Sequence, residues 1–123
     1  METSFDLDFK EVPFTVKVRN ETKSYKLREF DGVSRDAYVE FIFGCSELDE
    51  ASGKRRITNP KGLETALLSR CLFDGEDKPV PPDVFDKWPE RVRKELFKLA
   101  QELNGVQIDP EEIKKAEAER GNE

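Results

Sequence analysis

Up to Asp31-Gly32 the chain is written with a period of two; beyond that dipeptide its apolar residues fall at helical spacings. Phe5, Leu7 and Phe9 alternate with Asp6, Asp8 and Lys10, and after Val12-Pro13 the alternation resumes through Phe14, Val16 and Val18. Residues 19–23 turn the chain, and Tyr25 and Leu27 restart the pattern. Successive side chains point to opposite faces of a strand, so this stretch predicts a β-meander of two or three strands with one wet face. Pro13 has no N–H to give a ladder and marks an edge or an interruption.

In 33–44 Ser34 is placed to cap a helix, with Val33 stapled back on Tyr38 and Gly44 as the stop; the β-branched and aromatic run 38–43 keeps a strand as the competitor. Residues 45–58 read as a polar connection. Asn59-Pro60 is an N-cap followed by an N1 proline and predicts a helix from Pro60 to about Phe73, with apolar residues round more than half of its circumference. After a turn-rich loop at 74–83 comes a short helical turn over 82–88. A helix then runs from Pro89 or Glu90 to Leu103, stopped by Asn104-Gly105, and Asp109-Pro110 opens a last segment whose only large apolar residue is Ile113. Strands gathered at one end with helices after them make an α+β fold: an N-terminal two- to three-stranded β-meander followed by three to four short helices. The expected layout is one globular domain over residues 1–105 and an acidic, flexible or frayed-helical tail over 106–123.

The charge balance narrows the function classes. Net charge is −6, with six acids against Lys114, Lys115 and Arg120 from Gln107 onward, which argues against nucleic acid as the main partner. No basic-then-apolar leader opens the chain and no apolar run approaches the roughly 20 residues of a membrane span, so a cytoplasmic location is expected. Cys45 and Cys71 lie 26 residues apart and read as free thiols. Histidine is absent, which removes the commonest general base and zinc ligand. Asp6 and Asp8 share the wet side of a strand and are not a catalytic pair. Gly53-Lys54 lacks the earlier glycine and the following Ser or Thr of a phosphate loop. No nucleophile, base and orienting group stand at a workable spacing. The expectation is no enzyme, no metal and no cofactor.

Surplus apolar surface is the remaining signal. On a wheel of roughly 100° per residue, Val92, Leu96, Leu99, Ala100 and Leu103 form one stripe, while Phe97 points off it among Glu90, Arg93 and Lys94. Either another element, such as the N-terminal sheet, covers Phe97, or Phe97 meets a partner. Leu68 and Leu72 in the middle helix, and Phe41 and Phe43 in the first, pose the same choice. These five are the candidate partner contacts, in a homo-oligomer or against an apolar helix.

In order, "YKLREFDGVSRDAYVEFIFG" (25–44), "GLETALLSRCLFDGEDKPVP" (62–81) and "KWPERVRKELFKLAQELNG" (87–105) resemble the small tail assembly chaperones of long-tailed bacteriophages and prophages. The likeness covers Tyr25 to Gly105 and consists of elements and turn dipeptides; Trp88 stands where leucine is more usual, and the basic insertion at Lys54 to Arg56 is a departure. The resemblance implies a non-enzymatic protein that binds the tape measure protein in multiple copies. It would keep that client soluble while subunits of the major tail tube protein assemble, acting in the bacterial host cytoplasm and leaving before the virion matures. In that family a longer product is often made by ribosomal frameshifting, and an A-rich slippery run would be one encoding Lys114-Lys115. Two alternatives stand beside it: a structural tail or connector component of the virion, and a small regulatory nucleic-acid-binding module acting through Lys54, Arg55 and Arg56.

Overall fold

The computed structural model describes residues 2–121, so Met1 and the last two residues of the expected tail lie outside the described residues. Strands β1 (Glu11–Val18) and β2 (Glu21–Arg28) form an antiparallel hairpin in the register Val18↔Glu21 to Glu11↔Arg28, turned by Arg19-Asn20. Helix α1 (Gly32–Gly44) follows, then a second hairpin of β3 (Ser46–Asp49) and β4 (Lys54–Ile57), then helix α2 (Leu63–Cys71). From α2 the chain passes directly into β5 (Leu72–Asp74), which pairs antiparallel with β2 and completes a sheet of order β1-β2-β5. The single turn α3 (Pro82–Phe85), α4 (Glu90–Asn104) and α5 (Pro110–Gly121) end the fold. It is α+β, with the sheet built mainly from the N-terminal end of the chain.

Period-two alternation sets the two sides of the sheet. Leu27 and Leu72 are fully buried on one face, with Val12, Phe14 and Tyr25 half-buried beside them, and Tyr25 meets Trp88 edge-on at 5.1 Å between ring centroids. The other face is polar: Glu11 and Asp77 bracket Lys26 and Arg28, and the Arg28 guanidinium lies 4.3 Å from the Phe73 ring centroid. Against the apolar face packs α4, with α2 on α4 and with α1 and α3 flanking α2. Enclosed in this way, α2 buries Leu63, Leu67, Leu68 and Cys71 almost completely, which accounts for its apolar circumference.

Several boundaries differ from the sequence reading, each for a local reason. Asp31, not Ser34, caps α1: its carboxylate accepts the Ser34 N–H at 2.7 Å. Val33 is exposed, and Phe30 instead packs on Tyr38 with ring centroids 5.7 Å apart. The α2 helix starts at Leu63 rather than Pro60, because Gly62 takes a left-handed conformation (φ 87°) that breaks the run, and a Cβ there would lie 3.3 Å from Phe41 Cζ. The supposed polar connection at 45–58 holds the β3–β4 hairpin, whose turn is made by the Asp49 carboxylate accepting from the Ala51 N–H and the Ser52 hydroxyl. Phe5, Leu7 and Phe9 lie in an N-terminal arm that belongs to no strand.

The end of α4 ties distant parts together. Gly105 adopts φ 65° and the Val106 N–H closes on the Gln101 carbonyl at 3.1 Å, a Schellman stop. Asn104 does more than stop the helix. Its Oδ1 accepts the Phe30 N–H at 2.7 Å, its Nδ2 donates to the Ala100 carbonyl at 2.9 Å and to Cys71 Sγ at 3.4 Å, and its carbonyl accepts from Arg35.

Candidate interaction surface

Of the five proposed partner contacts, three belong to the core. Leu68 and Leu72 are fully enclosed, and Phe97 is 8% exposed. The wheel treated α4 as a helix with one buried side, but it has two. Leu96, Ala100 and the stripe around Val92 and Leu103 pack into the core, and Phe97 lies on the side that meets α2, between Arg93, which pairs with Glu64, and Asn104, which bonds to Cys71. Gln101 is the one polar residue in the buried set, and its Oε1 accepts the Ile108 N–H at 3.0 Å. Val106, Ile108 and Ile113 then pack on the core, Ala116 is 1% exposed, and the Glu112 carboxylate accepts the Ile57 N–H of β4. Leu63 at the start of α2 and Ile108 and Ile113 of the C-terminal segment share a groove with the off-stripe phenylalanine.

Phe41 and Phe43 stay at the surface, but two residues apart on a helix they do not share a side. Phe41 leans on Gly62, whereas Phe43 lies beneath the Arg55 guanidinium, 4.7 Å from its ring centroid. Arg55 also donates to the carbonyls of Phe43 and Ser46 and to the Ser46 hydroxyl. Its cross-strand partner is Leu48, 57% exposed, so Phe43, the Arg55 stem and Leu48 make one continuous apolar patch that sequence reasoning missed for want of the hairpin. The basic triplet is split by the same ladder. Arg55 faces Phe43, while Lys54 and Arg56 face the other way, opposite Asp49 and Glu47.

A groove of about 550 Å³ opens between the start of α2, the outer side of α4 and α5. Leu63, Phe97, Ile108 and Ile113 form its floor, so Phe97 touches this site through its small exposed edge. Six cations and four anions line it, an excess of positive charge on an acidic chain. Removal from water pushes the Glu64 carboxyl up, and Arg93 at 3.5 Å, which also donates to the Trp88 carbonyl, works against that shift. Lys94 is held above its ordinary range by its bond to Glu90 at 3.1 Å.

Burial pushes the Cys71 thiol up to about 12 and raises Cys45 as well, so neither carries thiolate near neutrality. The Tyr38 phenol is fully buried and pushed above its ordinary range by desolvation, and its hydroxyl has no hydrogen-bond partner. Among the described residues, no three carboxylates or thiols converge where a metal ion would sit, and no helix is long and apolar enough to cross a membrane. Comparison of the chain with protein-family models, with curated proteins and with solved structures finds no match.

Proposed function

We propose that the protein is a tail assembly chaperone that binds a long helical client, the tape measure protein, in multiple copies and keeps it soluble while tube subunits assemble. The carrying observation is the groove beside α4: an apolar floor of Leu63, Phe97, Ile108 and Ile113, open to solvent and rimmed by charges of both signs. That form suits the apolar stripe of an amphipathic helix, whose flanking charges meet the rim. The Phe43–Leu48 patch, where α1 ends and the β3–β4 hairpin begins, offers a second apolar foothold. The order of elements from Tyr25 to Gly105, which resembles that of such chaperones, also supports the reading.

The test is co-expression with the long coiled-coil-rich protein encoded nearest to this chain. The client is expected in the soluble fraction with several copies of the chaperone bound, as counted by native mass spectrometry. A photo-crosslinking residue at Lys98, on the groove rim, should capture the client, and the same residue at Asp83 on α3 should not. A client that precipitates equally with and without the protein overturns the proposal, as does equal capture from both positions.

A further inference from the structure

The N-terminal arm is the largest apolar feature left without a partner. Residues 2–10 belong to no strand, yet Phe5 (82% exposed), Leu7 (88%) and Phe9 (47%) alternate with Asp6 and Asp8 as a strand with one apolar face does. The chain does not satisfy this pattern on its own sheet. The Glu29 N–H donates to the Lys10 carbonyl at 3.0 Å and the Lys10 N–H to the Glu29 carboxylate at 2.8 Å, so the arm departs from the end of β1 remote from the Arg19-Asn20 turn. The parity is also wrong. The apolar residues of β1 are Val12, Phe14 and Val16, at even positions, whereas those of the arm are at odd ones. Continued straight from β1, the arm would turn its phenylalanines to the wet face beside Glu11, Pro13 and Thr15.

The outer edge of β1 has what the arm needs. A two-residue turn closed by Val18↔Glu21 directs the backbone groups of Val12, Phe14, Val16 and Val18 toward β2, and leaves those of Glu11, Pro13, Thr15 and Lys17 pointing outward. Pro13 therefore sits where its missing N–H breaks no ladder bond of its own sheet. Charge adds direction. Residues 2–9 carry Glu2, Asp6 and Asp8 and no cation, while the tip of the hairpin carries Lys17, Arg19 and Lys23 against Glu21. Those three cations make no ion pair among the described residues.

We propose that the arm of one copy adds as a fourth strand to the outer edge of β1 in a second copy, joining the copies head to tail. Run antiparallel with Phe9 opposite Phe14, Leu7 opposite Val16 and Asp6 opposite Lys17, the arm keeps its apolar residues on the apolar face of β1. Each acid then lies near the basic tip, and the new ladder stops at Pro13. Because the two contacting surfaces differ, the association propagates unless the rotation closes a ring. The inference rests on strand geometry and charge, and its test contains no client.

Sedimentation velocity over a concentration series checks it. The intact chain is expected at twice the monomer mass or more, with association weakening as salt rises. A variant lacking residues 2–9 keeps only the receiving edge. Thr15→Pro keeps only the arm, removing an outward N–H that the hairpin does not use. Each alone should be a monomer, and the two mixed should form a heterodimer that grows no further. As a milder pair, Lys17→Glu should weaken association and Lys17→Glu with Asp6→Lys should restore it. An intact chain that stays monomeric, oligomers that persist without the arm, or a mixture that does not combine overturns the proposal.

Discussion

Truncating Phe97 separates a core residue from a free contact more sharply than any other single change. With only 8% of it exposed, Phe97→Ala takes roughly 100 Å² of buried apolar surface from the fold, worth about 2.5 kcal/mol at ~25 cal/mol per Å². The space left behind adjoins an open groove, so water can enter and the cavity term is small. The expected loss is therefore about 3 kcal/mol, at the low end for Phe→Ala in a core. For a chain of 123 residues that corresponds to a drop in Tm of about 12 °C. Urea unfolding followed by far-UV circular dichroism, with calorimetry for Tm, measures it, and Phe97→Leu should lose less than half as much. Because Ile113 shares the groove floor, Ile113→Ala and Phe97→Ala should couple in a double-mutant cycle by more than about 0.5 kcal/mol. A loss below about 1 kcal/mol for Phe97→Ala, with full additivity to Ile113→Ala, would refute the assignment of Phe97 to the core beside Ile113.

Two further changes probe the buried polar groups. Tyr38→Phe removes a fully enclosed hydroxyl that has no partner, so it should stabilise the fold by about 1 kcal/mol in urea; a loss of that size would reveal a bond to the hydroxyl. The Cys71 thiol has its folded pKa raised to about 12 from 9.0, so the folded state holds a proton that the unfolded chain gives up. Its stabilising contribution is complete below pH 9 and is lost at about 1.4 kcal/mol per pH unit as pH rises from there toward 12. Tyr38, shifted in the same direction, adds to the decline above its ordinary value of 10.0. Cys71→Ala should flatten the first part of the alkaline limb, and an unchanged slope would show that other groups govern it.

What could be read from the chain followed from how locally each element is specified. The span of α4 was legible because Pro89 precedes it and Gly105 ends it, and β1–β2 because its alternation is apolar against polar. The β3–β4 hairpin was not, since its ladder is written in opposite charges, Glu47 with Arg56 and Asp49 with Lys54, and carries few apolar residues. Phe97 misled for a non-local reason. Its neighbours in the groove, Leu63 of α2 and Ile108 and Ile113 of the C-terminal segment, come from other elements, and no pattern within α4 itself announces them. The alternation of Phe5, Leu7 and Phe9 was read as a strand, and within one copy of the chain it pairs with no strand.

The carboxamide of Asn104 reaches back 74 positions to hold the peptide of Phe30. A nascent chain leaving the ribosome amino end first cannot form that tie until the α4 terminus has also emerged. Until then the junction between the first hairpin and α1 lacks that anchor. A translation pause anywhere before that asparagine would prolong the interval without the tie.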